Sequence, residues 1–292
     1  MNGILVVDKP QGITSAEVVR RVKRAARVKV GHLGTLDPFA SGVLPLCLGE
    51  GTKIAQFLSR DDKTYEGTIR LGEATDTGDC TGRITRTASV PARLGSDELR
   101  SIEQRFTGPY EQVPPMYSAL KRSGVPLYKL ARQGIEVERA SREVHIAALH
   151  LARQDDTHLR FEVSCSKGTY VRVLAEDIGV ALGSVAHVRT LRRTRFGAFT
   201  LAQAIALDAW DPTREGCVIP ISQALPHLSA IQIDAAAAVA VRRGQSWELP
   251  RLVAGVDRDE ALLVDADGEA VAVIVRAAGR WHFARVLAAD PD

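Results

Sequence analysis

Apolar and polar positions along the chain follow two periods, and the switches between them mark out the elements. Ile4 to Val7 is a short apolar strand that runs into the turn Asp8-Lys9-Pro10-Gln11-Gly12. Thr14-Ser15-Ala16-Glu17 has the form of a capping box, and Val18, Val19, Val22 and Ala26 then recur at helical spacing to about Arg27. From Lys63 to Gly72 the period drops to two. Tyr65, Gly67, Ile69 and Leu71 share one face, and Thr64, Glu66, Thr68 and Arg70 the other, as in a half-buried strand. Asp97 to Phe106 predicts a helix capped by Ser96, with Leu99, Ile102 and Phe106 inward. Pro126 opens a short helix that Gly134 closes. Val144 to Leu151 and Leu159 to Cys165 predict paired strands, and Ser166-Lys167-Gly168-Thr169 turns into a helix carrying Val171, Leu174, Ile178 and Leu182.

Beyond Pro226 the pattern becomes that of a small β-rich unit of about 60 residues. A short helix from Asp234 to Arg242 precedes strands at Ala261 to Asp265, Ala270 to Arg276 and Trp281 to Leu287. Ala266-Asp267-Gly268 and Ala277-Ala278-Gly279 are the turn signals between them. The expected division is 1–226 and 227–292. Strands and helices mix without regular βαβ alternation, which predicts an α+β fold with a mixed, largely antiparallel sheet.

Composition narrows the class. Hydrophobic residues make up 45% and charged residues 25% of 292, so collagen, coiled coil and wholesale disorder are excluded. The longest stretch free of Asp, Glu, Lys and Arg, Gly216 to Ile233, contains Pro220, Pro226, Gln223, Gln232 and His227, so no membrane span is expected. The first residues lack a basic region followed by a long apolar one, and read as a strand rather than a signal peptide. Cys47, Cys80, Cys165 and Cys217 form no C-x-x-C pair, which fits a reducing cytoplasm and suggests neither zinc site nor disulfide framework.

Net charge is only +3, but it is unevenly spread. Val18 to Leu36 holds six basic residues (Arg20, Arg21, Lys23, Arg24, Arg27, Lys29) and no acid; Ile178 to Leu207 holds four arginines (Arg189, Arg192, Arg193, Arg195) and no acid. Those segments suit a polyanion, or are solvated helix faces. From Arg251 to Asp292 the balance reverses, with five Arg against eight Asp plus Glu.

The densest punctuation is Gly31-His32-Leu33-Gly34-Thr35-Leu36-Asp37-Pro38-Phe39-Ala40-Ser41-Gly42. Asp37 here could be a nucleophile, a base or a charge stabiliser. Taken alone, the Asp-Pro spacing favours a helix cap, with Asp37 at N-cap and Pro38 at N1. Gly49-Glu50-Gly51-Thr52-Lys53 is not a P-loop, and Asp76-Thr77-Gly78-Asp79 lacks the alternating ligands and closing Glu of a calcium loop. No metal cluster, dinucleotide fingerprint or G-x-S-x-G elbow is present in the sequence.

The segment G-H-x-G-T-L-D-P-x-A-x-G resembles the signature of the TruB family of tRNA pseudouridine synthases. Further similar segments follow in the family's order. They are Asp8-Lys9-Pro10-Gln11-Gly12, Lys63-Thr64-Tyr65, Thr75-Asp76-Thr77-Gly78-Asp79, the run Gln112-Val113-Pro114-Pro115-Met116-Tyr117-Ser118-Ala119-Leu120-Lys121, Lys167-Gly168-Thr169-Tyr170-Val171-Arg172 and Leu191-Arg192-Arg193-Thr194. The resemblance covers about residues 3 to 210. It implies a pseudouridine-synthase catalytic core over 1–226, with an RNA-binding insertion at about 107–142, and a C-terminal PUA-like domain, whose acidic balance is a departure.

The resemblance also implies roles. Asp37 would be the catalytic carboxylate, Tyr65 would stack on the target uracil and help handle the C5 proton, and Arg172 would pair with Asp37. Leu191 would line the base pocket, His32 would fill space vacated by the extruded nucleotide, and Tyr170 would sit near Asp37 or the base. Lys9, Pro10, Gly31, Thr35 and Lys53 complete the expected substrate-binding set. The implied substrate is uridine 55 in the T-arm stem-loop of tRNA. No cofactor, metal ion, membrane or obligatory protein partner is expected, and the implied state is a cytoplasmic monomer.

The residue types make chemical sense for this reaction. Breaking the C1′–N1 bond leaves an electron-poor ribose that one carboxylate can trap or stabilise. Uracil departs as a delocalised anion, so a second carboxylic acid is not obligatory. Three other readings compete. A guide-RNA-dependent enzyme of the dyskerin type is disfavoured by the family-like insertion and the absence of long basic tails. A non-catalytic RNA chaperone would not need Asp37, Tyr65 and Arg172 together, and a nucleoside hydrolase would show clustered carboxylates for a metal.

Overall fold

The computed structural model describes residues 1–58, 62–92, 94–214 and 216–289. Along the chain, β1 (Gly3–Lys9) is followed by α1 (Ser15–Ala26), β2 (Val30–His32), β3 (Ser41–Leu48) and α2 (Ala55–Leu58). Next come β4 (Lys63–Leu71), the hairpin of β5 (Glu73–Thr75) and β6 (Ile84–Thr87), α3 (Ser96–Phe106) and β7 (Gly108–Gln112). The short hairpin of β8 (Lys121–Arg122) and β9 (Val125–Pro126) and α4 (Leu127–Ala131) lead to the long pair β10 (Arg142–Arg153) and β11 (His158–Cys165). Then come α5 (Val171–Ala181), β12 (Ala186–Phe196), β13 (Phe199–Thr200), β14 (Ile205–Ala206), β15 (Val218–Ile219) and α6 (Ile221–Ala224). The last stretch holds β16 (Ser229–Gln232), α7 (Ala235–Arg242), α8 (Leu249–Leu252), β17 (Glu260–Val264), β18 (Ala270–Ala277) and β19 (Arg280–Val286).

These elements form two compact units: Met1–Asp37, Val43–Arg60 and Gly197–Asp292 make one, Pro38–Gly42 and Asp61–Phe196 the other. Compactness thus groups everything after Gly197 with the N-terminal strands, whereas the change in composition falls near Pro226.

In the unit around β4, the strands run β12-β4-β11-β10-β7, each neighbouring pair antiparallel. Ser41 and Gly42 add a short parallel pairing, opposite Arg192 and Arg193. The period-two pattern of β4 is realised. Ile69 and Leu71 are buried beside Leu159 and Phe161 of β11 and Val188 and Ala186 of β12. The other face is polar, where Thr64 meets Ser164 at 2.9 Å and Thr68 meets Thr190 at 2.5 Å. Helix α5 packs against β12, and α3 against β10.

In the other unit, β1 pairs in parallel with β14 and antiparallel with β15, and β2 pairs antiparallel with β3. A four-stranded sheet, β16-β17-β18-β19, closes the chain. Ala237, Val241, Leu249 and Val253 of its helical segment pack on Ala261, Leu263, Val271 and Ile274. Two hydrogen bonds join its last strand region to the turn at residues 49–53. Lys53 Nζ donates to the Val286 carbonyl at 3.0 Å, and the Ala288 amide donates to Glu50 Oε2 at 2.6 Å. The expected α+β class, mostly antiparallel with some parallel pairing and a β-rich C-terminal region, is what the structure has.

Some elements differ from expectation. The cap of α3 is Gly95, whose amide donates to the Glu98 carboxylate at 2.9 Å, not Ser96. No helix follows Asp37; a turn at Pro38–Phe39 leads into β3, so the helix-cap reading of Asp37 fails. The apolar periods do not mark β3, β12 and β16. In β12 two register shifts, between Val188 and Thr190 and between Arg193 and Arg195, break the alternation by which a strand is recognised.

Gly67 sits mid-β4, flanked on both sides. A Cβ there would come within 2.0 Å of the Thr190 carbonyl oxygen and 2.9 Å of the Phe161 ring. Backbone cannot yield as a flexible side chain does. Gly67→Ala is therefore expected to destabilise the chain by about 2 kcal/mol or more in urea denaturation followed by circular dichroism. Unchanged stability would show that β12 moves freely.

Candidate active site

Asp37 lies in the loop that joins β2 to β3. The two strands are held in register by Gly31 opposite Cys47 and His32 opposite Leu46, and the Leu33 amide extends the ladder to the Pro45 carbonyl at 3.1 Å. Leu33 and Leu36 are buried, Thr35 and Pro38 are exposed, and Asp37 is half-buried between them. The Ser15 hydroxyl donates to the Leu36 carbonyl at 3.0 Å and accepts from the Leu36 amide at 2.8 Å. Four residues after the Asp, Ser41 and Gly42 reach β12. Gly42 has φ +104°, and a Cβ there would lie 2.2 Å from the Arg193 carbonyl oxygen. Only glycine permits that approach.

Tyr65, Leu191 and Arg193 share one face of the β4–β12 pair. Arg193 is opposite Tyr65, and Leu191 is opposite Gly67, so the missing side chain of Gly67 leaves room beside Leu191. Tyr65 is half-buried and Leu191 buried. Arg193 is 1% exposed and has the Tyr65 hydroxyl as a hydrogen-bond partner. Burial pushes the Arg193 guanidinium below the usual arginine range, and the Tyr65 oxygen opposes that shift. The guanidinium also lies 5.1 Å from the centre of the Phe196 ring, and the Lys63 ammonium 4.4 Å. A phenol oxygen beside a cation is a better acceptor for developing negative charge.

Arg172 opens α5 and is 4% exposed. It donates to the carbonyls of Thr77 and Tyr117, both at 2.7 Å, and its Nη1 is 3.8 Å from Asp79 Oδ2. The Asp79 carboxylate is itself held by the Thr81 amide at 2.9 Å and hydroxyl at 2.6 Å, and by the Thr77 hydroxyl at 2.9 Å. Arg172 thus fastens α5, the 75–81 loop and the segment around Tyr117 together. Tyr170, just before α5, is tied to the end of β7. Its amide donates to Gln112 Oε1 at 2.7 Å, and its carbonyl accepts from Gln112 Nε2 at 3.0 Å. The Arg142 guanidinium stacks on the Tyr170 ring at 5.0 Å.

Residues 20–171 match the family model for the N-terminal domain of TruB family pseudouridylate synthase, and residues 172–211 that for the tRNA pseudouridylate synthase B C-terminal domain. The chain is 47% identical over 265 residues to tRNA pseudouridine synthase B of Aromatoleum aromaticum, covering 88% of this chain and 85% of that one. It is 47% identical over 281 residues to tRNA pseudouridine synthase B of Burkholderia pseudomallei, covering 94% and 92%. The chain belongs to the TruB family of pseudouridine synthases. Among solved structures it is similar to the chain in a crystal structure of a Cbf5-Nop10-Gar1 complex, with TM-score 0.68 and 28% identity over 94% of this chain and 78% of that chain. A second, from an H/ACA RNP bound to a substrate RNA containing 2′-deoxyuridine, gives 0.68 and 26% over 94% and 77%.

Within this TruB-family chain, other expected site residues have structural employment. Lys9 is fully buried; its ammonium donates to the carbonyls of Pro10 and Ile13, both at 2.8 Å, and so shapes the turn after β1. Pro10 is exposed at that turn. Lys53 holds Glu50 at 2.6 Å as well as Val286. The basic run of α1 is exposed, with Arg20 and Arg21 paired to Glu17, while the run at 189–195 is split. Arg189 and Arg195 face outward, and Arg193 is inside. Arg193 and Asp79 were both within quoted motifs, but a charge count reads an arginine as surface and an aspartate as turn. No single-sequence signal marks their burial. Among the described residues, no group of three or more His, Cys, Asp or Glu is placed to hold a metal ion, and no helix is long and apolar enough to cross a membrane.

Glu176 lies one turn after Arg172, and burial first, then the Asp177 charge, pushes its carboxyl from 4.5 up to about 7. A carboxyl raised on folding costs stability as it ionises. That cost is absent below about pH 4.5, grows from there, and is complete once pH passes about 7. Glu176→Gln is therefore expected to stabilise the chain by about 1–3 kcal/mol at pH 8 and to have little effect at pH 4. Urea midpoints measured across pH check this, and a pH-independent difference would contradict it.

Proposed function

We propose that this chain isomerises a uridine of tRNA to pseudouridine, acting on uridine 55 of the T loop. The observation that carries the reading is 46–47% identity, over 86–94% of the chain, to proteins named tRNA pseudouridine synthase B. The uracil must leave the stacked loop, at a cost of a few kcal/mol that phosphate contacts and stacking offset. The exposed Lys23, Arg24, Arg27 and Lys29 supply positive charge for such contacts.

In this reading Asp37 is the catalytic carboxylate at C1′, and Arg172 keeps it ionised and oriented. Tyr65 stacks on the base and handles the C5 proton, with its oxygen held by Arg193. Leu191 and Tyr170 border the base, and His32, Gly31, Thr35, Lys9, Pro10 and Lys53 support or contact the RNA. The isomerisation is redox-neutral and calls for neither cofactor nor metal. Residues 1–226 serve as the catalytic domain and 227–292 as a PUA-like domain that assists docking. The chain acts as a cytoplasmic monomer without a protein partner. A guide-RNA reading rests on the Cbf5 likeness, but identity there is 26–28% against 46–47% for the tRNA enzymes.

Two measurements test this reading. Asp37→Asn removes charge and keeps shape; with unmodified tRNA tritiated at uracil C5, tritium release is expected to vanish while tRNA binding survives. Turnover within tenfold of wild type would remove Asp37 from the chemistry. Tyr65→Phe keeps the stacking ring but not the hydroxyl, and is expected to bind tRNA normally and lose about 100-fold or more in rate. Equal rates for Phe and Tyr would leave Tyr65 as a stacking platform.

A further inference from the structure

We propose that Ser15 is the positioning residue for the Asp37 carboxylate. The inference rests on the reading of Asp37 as the catalytic group.

The loop from Leu33 to Ala40 carries Asp37 between two strands, with no helix to hold it. The Leu33 amide ties its start to the Pro45 carbonyl, and next to Asp37 its backbone is gripped by the Ser15 hydroxyl. Ser15 is the first residue of α1, 2% exposed, directly after the N-cap Thr14 whose side chain accepts from the Glu17 amide. Its Oγ accepts from the Leu36 amide at 2.8 Å and donates to the Leu36 carbonyl at 3.0 Å. These two groups belong to successive peptide planes, and the second plane ends at the nitrogen of Asp37. Ser15 therefore sets the orientation of the peptide from which the Asp37 side chain departs. The buried side chains of Leu33, Leu36, Phe39 and Ala40 anchor the loop in depth, while the Ser15 hydroxyl fixes the peptide planes on both sides of Leu36. On either side Thr35 and Pro38 are exposed and add no burial. A carboxylate that must meet C1′ within a few tenths of an ångström depends on that peptide plane, because misplacement of about 1 Å costs about 100-fold in rate.

The same helix presents Lys23 and Arg24 to solvent, with Arg27 exposed at its C-cap. The proposed phosphate-facing surface and the clamp on Asp37 thus share one rigid element, α1.

The test uses the full chain and C5-tritiated tRNA under single-turnover conditions. Ser15→Ala is expected to lower the maximal rate about 10- to 100-fold with tRNA affinity unchanged within about twofold. Val18→Ala, on the buried face of the same helix, is the control: it is expected to lower the melting temperature at least as much and to keep the rate. Ser15→Thr, which retains a hydroxyl, is expected to restore the rate. Ser15→Cys keeps the volume but offers only a weak donor, and is expected to behave as Ala does; the Thr and Cys pair carries the test if Ser15→Ala does not fold. A wild-type rate in Ser15→Ala, or equal rate losses in Ser15→Ala and Val18→Ala, would overturn the proposal. An active Asp37→Asn would instead overturn the reading of Asp37 on which it rests.

Discussion

The register of β4 against its two neighbours is the constraint on which the unit around it depends. Side chains alternate strictly along a strand, so a slip of one residue would turn Tyr65 away from Leu191 and Arg193. Several features hold the register. Apolar residues on one face of β4 are buried between β11 and β12, while hydroxyl pairs such as Thr64–Ser164 and Thr68–Thr190 join the other face. Gly67 adds a steric condition, since the Thr190 carbonyl oxygen would lie 2.0 Å from a Cβ at this position. The bulges in β12 then bring Arg193 opposite Tyr65 with its guanidinium inside.

Among the described residues four Lys or Arg side chains, Lys9, Lys63, Arg172 and Arg193, are buried, and desolvating a charge costs several kcal/mol unless it meets a compensating partner. Lys9 and Arg172 are met largely by backbone carbonyls, which are fixed in place by the fold and carry no charge that could be lost by protonation. Such cations act as rivets between loops. Arg172 joins three segments that have no common strand, and Lys9 folds a turn on itself. The rigidity they supply suits chemistry that must catch a transient ribose electrophile, where the groups have to be in place before charge develops.

The exposed cations are a different set of residues. The exposed cations of α1 lie on the opposite side of that helix from Val18 and Val22, so one helix serves the core with one face and solvent with the other. Net charge alone, at +3, concealed this arrangement. The acidic C-terminal sheet is tied to the turn at 49–53 through Lys53 and Glu50, which gives Lys53 a structural duty in addition to any contact with RNA.

What was legible from sequence were the local periods and the motif order. β4, α1, α3, α5, the β10–β11 pair and the three C-terminal strands all follow from spacing of apolar residues, because each buries one face of a regular element. The family resemblance followed from short segments whose glycines, prolines and chemical groups are needed at fixed offsets. Tertiary structure decided the rest. It made Asp37 a loop residue rather than a helix cap, because the chain enters β3 straight after the turn at Pro38–Phe39, where Ser41 and Gly42 pair with Arg192 and Arg193 of β12. It put Arg193 inside and Arg189 outside, because bulges change the face that a residue presents without changing composition. It gave Ser15, Gln112 and Asp79 their partners, because two hydrogen bonds and an ion pair between residues 21, 58 and 93 positions apart depend on how the chain returns to itself. A sequence read in one dimension records which groups can bond; only the folded backbone determines which of them meet.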